Sequence, residues 1–180
     1  MKKTNIAAIV LLGTVLSASA SASSDNTISF QGEVTDQTCS LTVNGNESAP
    51  IILLPTVAAT ALSASGDVAG ATSFEMGVTG CTASTDSTTS ISTVFVGNLV
   101  DSTNEGTLGN SGTAGNVNVQ ILDSSSTAID LSSTYTADGD LTLASGDTSA
   151  TSTYTAQYYA TGVATAGTVA ASLQYAISYQ

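Results

Sequence analysis

The sequence predicts an all-β protein built as a β-sandwich. From about residue 38 onward, short runs rich in Val, Ile, Thr and Tyr alternate with clusters of Gly, Ser, Asn and Asp, which is the pattern of strands joined by turns. No long stretch combines helix caps with an apolar stripe of helical period. The runs predict seven or eight strands, and that number at this spacing is typical of two packed antiparallel sheets.

The first 22 residues have the pattern of a cleaved secretion signal. Lys2 and Lys3 precede an apolar run over residues 6–16, and alternating Ser and Ala follow it, as a cleavage site requires. The apolar run is about half the length that a membrane-spanning helix needs. A retained interfacial anchor is the alternative. Cleavage would leave residues 23–180, which is enough chain for one domain with a real core.

The charge pattern excludes several classes of function. Lys2 and Lys3 are the only basic residues of the 180, whereas 14 residues are acidic and none is His. Nucleic-acid binding is excluded for the secreted chain, because phosphate contacts depend on Lys and Arg. Its many Ser residues lack the usual catalytic base, so we predict that the protein is not an enzyme and uses no cofactor.

The one close pair of carboxylates, Asp138 and Asp140, flanks a glycine. Asp-Gly-Asp is typical of a hairpin turn, where these residues are favoured for backbone reasons. A glycosidase pair and a calcium loop are the alternatives, but the spacing matches no calcium-loop pattern. We therefore predict no catalytic residues and no metal site.

Cys39 and Cys81 are the only cysteines. In an exported chain, oxidising conditions favour a disulfide between them, and closing a loop of this size would stabilise the fold by roughly 4 kcal/mol. Free or metal-binding thiols are the alternative, although the chain has no His to complete a metal site.

Strand quality varies along the chain. Residues 116–123 form the clearest strand, with Val117, Val119 and Ile121 alternating toward the interior. Residues 98–115, rich in Gly, Asn and Ser, are predicted to form a long surface loop.

The two ends of the secreted chain are unusual. Residues 26–34 place Ile28, Phe30, Gly32 and Val34 on one face of a strand, and polar residues on the other. The last predicted strand, 169–179, also alternates, and no strand follows it. A surplus strand at the front and an unpaired edge at the back invite association. The front strand either fills a groove in another copy or folds back within its own chain.

Four features resemble pilin subunits of the chaperone–usher pathway, close to the major pilin of type 1 fimbriae. They are the Phe30-x-Gly32-x-Val34 pattern followed by Cys39; the stretch from Leu54-Pro55 through Phe74-x-Met76-x-Val78 to Cys81; the strand over residues 114–123; and the ending from Gly167 through Tyr175-x-Ile177-x-Tyr179-Gln180. In this order, behind a secretion signal, they cover essentially the whole secreted chain.

The resemblance implies an incomplete immunoglobulin-like β-sandwich, the pilin fold, which lacks its last strand and is completed by a donor strand from another subunit. Residues 23–35 would be the N-terminal donor-strand extension and residues 36–180 the pilin domain. The donor face would consist of Asn26, Ile28, Phe30, Gly32 and Val34. The groove that receives it, and that first meets the chaperone, would involve Leu173, Tyr175, Ile177, Tyr179 and Gln180.

The resemblance also implies partners and a location. The partners would be other copies of the chain and fellow pilins in a head-to-tail fibre, a periplasmic chaperone and an outer-membrane usher. The protein would be a structural, major subunit, exported through the periplasm of a Gram-negative bacterium to a surface fimbrium that supports adhesion. The alternatives to a major structural subunit are a minor adaptor pilin and a ligand-binding adhesin subunit of the same kind of fimbria. Tip adhesins of this pathway carry an additional lectin domain, for which this chain has no room.

Overall fold

The computed structural model describes residues 38–48, 50–82 and 84–179. This part of the chain contains nine strands and a single 3-10 turn, Ala59–Ala61. The strands are β1 (Ser40–Val43), β2 (Val68–Thr79), β3 (Thr89–Gly97), β4 (Val100–Asp101), β5 (Thr107–Leu108), β6 (Val117–Leu122), β7 (Tyr135–Leu143), β8 (Ala150–Ala160) and β9 (Leu173–Tyr179). The predicted secretion signal and front strand lie outside the described residues.

The strands form two antiparallel sheets. One has six strands in the order β1-β2-β8-β6-β5-β4, and the other has three in the order β7-β3-β9. Every strand pairing within these sheets is antiparallel. The predicted all-β sandwich is therefore confirmed. Strand β9, the last strand, lies at one edge of the smaller sheet.

Aromatic side chains join the two sheets at the centre of the core. Phe74 on β2 and Tyr154 on β8 belong to the larger sheet, and their ring centroids are 5.8 Å apart. Phe95 on β3 meets Tyr154 edge to face, with 5.0 Å between the centroids. Edge-to-face contacts of this kind are favourable beyond the area they bury. Phe95 and Tyr154 are almost completely buried, so this contact fixes how the sheets stack.

The prediction of a hairpin turn at residues 138–140 is wrong. These residues lie within β7, at an irregularity in its pairing with β3, where Gly139 has φ +65°. The bulge lets the Asp140 carboxylate accept hydrogen bonds from the Thr93 N–H (2.7 Å), the Thr93 hydroxyl (2.8 Å) and the Tyr154 hydroxyl (2.7 Å). Asp and Gly favour bulges for the same backbone reasons as turns, so local sequence does not separate the two.

The prediction of a plain surface loop over residues 98–115 is also wrong. This segment contributes β4 and β5 to the larger sheet, and the side chains of Thr107 and Leu108 are buried. The Asn118 amide on β6 donates to Asp101 Oδ2 (3.1 Å) and to Thr107 Oγ1 (2.9 Å). Hydrogen bonds from Thr103, Asn104 and Asn118 hold the pKa of the Asp101 carboxyl below its usual value.

Candidate functional site: an open apolar groove

A groove of about 490 Å³ opens beside the first residues of β9. Its walls are the extended segment 50–54 on one side and residues 169–173 with Tyr175 on the other. Its floor is the flank of the core, where every floor residue except Tyr158 is buried. The floor residues are Val43, Phe74, Met76, Phe95, Leu108, Val119, Ile121, Ala156 and Tyr158.

None of the described residues that line this groove is charged, although the chain has a net charge of −12. Burying a charge against such a surface is costly, since nothing there would compensate its lost hydration. The groove therefore suits an apolar row of side chains and disfavours a charged one.

The wall formed by residues 50–54 is extended but joins none of the nine strands described above. Its side chains alternate in direction. Ile52 and Leu54 pack against the main core, whereas Ile51 and Leu53 are 79% and 81% exposed. The alternation matches the period of a strand, so this wall has the conformation of a strand without a partner.

The opposite wall continues from residues 169–172 into the edge strand β9, whose Leu173 and Tyr175 line the groove. Strand β9 pairs on one side with β3, in a register that sets Tyr175 beside Phe95 and Leu173 beside Gly97. On its other side no described strand is paired with it. An edge strand beside an apolar groove offers both backbone hydrogen bonds and side-chain pockets to an added strand.

The predicted groove residues divide into two groups. Leu173 and Tyr175 line the groove itself. Ile177 and Tyr179, farther along the same strand, pack against a second buried cluster formed by Val78, Cys81, Ile91, Leu141 and Leu143. Gln180 and the donor-face residues, from Asn26 to Val34, lie outside the described part of the chain, so their roles stay predictions.

Cys39 and Cys81 form a disulfide in the structure. Cys39 precedes β1 and Cys81 follows β2, so the bond ties together one end of this strand pair. Cys81 is buried in the same cluster that Ile177 and Tyr179 contact. The disulfide thus supports the far end of the edge strand as well as its own two strands.

Sequence reasoning missed Asn110, which holds the rim of the groove in place. Its side-chain oxygen accepts hydrogen bonds from Gly112 N (2.7 Å) and Ala170 N (2.9 Å), and its amide donates to Ala114 O (2.9 Å). Ala170 O also accepts a bond from Ser111 N (2.8 Å). Because Ala170 lines the groove, these bonds position the rim just before β9 begins.

Gly167 permits the rim of the groove to lie close to the loop that contains Thr113 and Ala114. A Cβ atom on Gly167 would clash with the backbone of Thr113 and Ala114. Any larger residue would push the two loops apart, so Gly167 is required by packing rather than by turn geometry.

The fold and the site together define a class of protein: an antiparallel sandwich whose last strand borders an open apolar groove. Within residues 38–48, 50–82 and 84–179, no helix is long and apolar enough to cross a membrane. The family model described as "Fimbrial protein" matches residues 28–180. The chain belongs to this family of fimbrial proteins.

Individual relatives agree with this assignment. The F17 fimbrial protein of Escherichia coli is 39% identical over 176 residues, which span 94% of this chain and 97% of the relative. The type-1 fimbrial protein A chain of Escherichia coli K12 is 30% identical, over 97% and 94% of the two chains. These matches confirm the resemblance to fimbrial pilins that the sequence motifs indicated.

The fold is shared with a solved pilus subunit. A chain in the structure of a chaperone–usher pilus aligns over 91% of this chain and 100% of its own length, with a TM-score of 0.57 and 18% identity. At this identity the likeness concerns the fold alone, and it supports the immunoglobulin-like pilin fold expected above.

Proposed function

We propose that this protein is a structural subunit, the major one, of a chaperone–usher fimbria, and that it polymerises by donor-strand exchange. Residues 23–35 of one copy fill the groove beside β9 of the next copy, with residues 36–180 forming the receiving domain. The observation that carries the proposal is the groove itself, which is apolar, open, uncharged and bordered by an edge strand.

The leading segment has the complementary pattern. Ile28, Phe30 and Val34 share one face, with Asn26 and Gly32 in the same row. Burying the three large side chains would contribute about 1.5–3 kcal/mol each, hence roughly 5–9 kcal/mol together. Backbone hydrogen bonds to both walls would add about 1 kcal/mol apiece. This total exceeds the low end of the cost of association, so a durable joint is expected.

The geometry of exchange explains the fibre. Donor and groove are different surfaces of one subunit, so the contact between copies is head-to-tail and does not close on itself, which generates a filament. Before assembly, a periplasmic chaperone would cover the same groove and meet Leu173, Tyr175, Ile177, Tyr179 and Gln180. An outer-membrane usher would then pass the subunit to a fimbrium at the cell surface, where the shaft supports adhesion.

Two substitutions, one on each side of the joint, test the proposal. In the chain without its secretion signal, Phe30→Asp places a charge on the donor face, and Leu173→Asp places one in the groove. Each variant alone is expected to remain monomeric in sedimentation and size-exclusion experiments, whereas the parent chain forms long polymers.

A mixture of the two variants is expected to give dimers and nothing longer. The intact leading segment of the Leu173→Asp chain fills the intact groove of the Phe30→Asp chain, and the remaining donor and groove are both disabled. The matched controls, Gln31→Asp on the outer face of the donor and Ala176→Asp on the exposed face of β9, should still polymerise. Polymers of Phe30→Asp alone, or no dimers in the mixture, would contradict donor-strand exchange.

A further inference from the structure

The turn after β1 is built from Asn44 and Gly45, the only Asn-Gly pair in the chain. Val43 and Asn46 flank it and exchange two backbone hydrogen bonds, of 2.9 and 3.0 Å. Asn44 and Gly45 both have positive φ, of 49° and 76°. These values are those of the tight two-residue hairpin turn that Asn-Gly favours.

The side chain of Asn44 is held in one orientation. Its Oδ1 accepts a hydrogen bond from the Glu75 N–H at 2.8 Å, and its backbone N–H donates to Glu75 O at 2.9 Å. A backbone N–H aimed at a carbonyl oxygen stabilises the negative charge that develops there when a nucleophile attacks the carbonyl carbon. Glu75 therefore provides a fixed donor for attack on the Asn44 amide.

The nucleophile for such an attack is the backbone nitrogen of Gly45. In the part of the chain that the structure describes, this N–H has no hydrogen-bond acceptor. Gly45 is exposed, and apart from its two chain neighbours no residue has an atom within 4 Å of the position where a Cβ would be. The Gly45 nitrogen therefore has no hydrogen bond to a described residue to give up before it attacks the Asn44 amide carbon.

We propose that Asn44 is a site of spontaneous deamidation in the folded protein. The Gly45 nitrogen loses its proton to solvent and forms a bond to Asn44 Cγ, the Cγ–Nδ2 bond breaks, and ammonia leaves, which closes a five-membered imide. Water then opens the imide at either carbonyl, giving aspartate or isoaspartate at position 44. Both products add one negative charge, and isoaspartate also lengthens the main chain by one carbon, directly before the segment that leads to the groove wall at residues 50–54.

A second Asx-Gly pair in the same molecule provides the contrast. Gly139, after Asp138 in the β7 bulge, also has positive φ, but its N–H donates to Ser92 Oγ at 2.9 Å. A Cβ at Gly139 would lie 2.7 Å from Ser90 Oγ, so this glycine is also more crowded than Gly45. The Gly139 nitrogen would have to give up a hydrogen bond before it could attack.

The test uses the Asp138→Asn variant, which places a second Asn-Gly pair at the bulge. The folded variant is incubated at mildly alkaline pH, and peptides from a glutamate-specific digest are analysed by mass spectrometry for replacement of an amide NH2 by OH. A parallel sample is unfolded in urea with reductant. Asn44 is expected to react several-fold faster than the asparagine introduced at position 138 in the folded sample, and the two rates are expected to converge in the unfolded one.

Equal rates at the two positions in the folded variant would overturn the proposal, as would a faster reaction at position 138. The unaltered protein gives an independent measurement, which does not depend on the variant folding. There, Asn44 is expected to react at least as fast in the folded as in the unfolded chain, and faster than Asn46, which Glu47 follows. A folded chain in which Asn44 stays intact while the unfolded chain reacts would also overturn it.

Discussion

At the scale of single residues, the Asp140 carboxylate ties the two sheets together. Asp140 and Thr93 belong to the smaller sheet, and Tyr154 belongs to the larger one. Tyr154 is buried at the centre of the core, and its hydroxyl donates a hydrogen bond of 2.7 Å to Asp140. A hydrogen bond to an ionised group is worth about 1.5–3 kcal/mol, more than a neutral one, so this contact is a principal polar link across the sandwich.

Alkaline pH is expected to destabilise the protein through the Tyr154 phenol. Burial, and then the hydrogen bond to Asp140, raise the pKa of the Tyr154 phenol above its usual 10.0. As pH rises past about 10, the unfolded chain releases the phenolic proton while the folded chain retains it, so the free energy of unfolding falls. Tyr135 and Tyr159, whose pKa values are also raised by burial, act in the same direction.

The Tyr154→Phe variant isolates the contribution of the Tyr154 hydroxyl to this pH dependence from that of Tyr135 and Tyr159. It is expected to lose about 1–2 kcal/mol of stability at neutral pH, because the hydrogen bond to Asp140 is gone. Its stability should then decline less steeply above pH 10 than that of the parent. Urea unfolding midpoints on both sides of pH 10 provide the measurement, and identical pH profiles would show that Tyr154 is not the group responsible.

Residue-level predictions from the sequence succeeded where a side chain's role follows from strand period. Val117, Val119 and Ile121 were expected in the core and are buried there. Asn118 and Gln120, on the other face of β6, have the pattern of solvent-exposed residues but are buried too. They bond to Thr107, Asp101 and Glu105, which come from a different part of the chain, so no local pattern could have revealed this contact.

At the scale of elements, the disulfide joins the start of β1 to the end of β2 across a sequence separation of 42 residues. Replacing both cysteines by serine is expected to cost about 4 kcal/mol, mainly because the unfolded chain regains freedom. Denaturant unfolding of the refolded protein tests the magnitude, and the yield of folded protein on expression tests the consequence. An unchanged unfolding midpoint would mean that the packing around Cys81 suffices without the bond.

The segments that the sequence predicted least well are those whose partners are distant. Strands β4 and β5 are only two residues each, and they exist because β5 pairs with β6 and β4 pairs with β5. The bulge at residues 138–140 likewise depends on Thr93 and Tyr154, which donate hydrogen bonds to its carboxylate. In both cases the local composition of Gly, Asn and Asp is compatible with loop, turn or bulge, and tertiary contacts decide among them.

At the scale of the whole molecule, charge is distributed unevenly around the sandwich. The described residues that line the groove beside β9 are all uncharged. A smaller cleft beside β7, at the opposite edge of the smaller sheet, is lined by Asp123, Asp138 and Asp140. Between Thr38 and Tyr179 there is no basic residue, so no side-chain ion pair offsets the repulsion among carboxylates there.

Salt is therefore expected to stabilise the folded chain at neutral pH. Added sodium chloride screens the mutual repulsion of the carboxylates, which is greater in the compact state than in the unfolded chain. We expect a gain on the order of 1 kcal/mol, or about 2–4 °C in Tm for a chain of this size. Near pH 4.1, the sequence pI, the effect should shrink. A Tm that is independent of salt at neutral pH would contradict this expectation.

The sequence predicted the overall class of fold and one side of the functional site. Alternating strands were sufficient to expect a β-sandwich, whereas the expectation of an open sandwich came from the resemblance to pilins. Leu173 and Tyr175, which that resemblance assigned to the groove, do line it. The opposite wall, residues 50–54, has only the pattern of an apolar run before Pro55, because an unpaired extended wall has no pattern that distinguishes it from a buried strand. The role of Asn110 at the rim was equally hidden, since it depends on Ala170, 60 residues away.

The absence of basic side chains from residue 4 onward has a consequence for proteolysis. Trypsin selects Lys or Arg through a carboxylate in its specificity pocket. If residues 1–22 are cleaved as the sequence predicts, trypsin would find no peptide bond to cut, even in a subunit that had come unfolded.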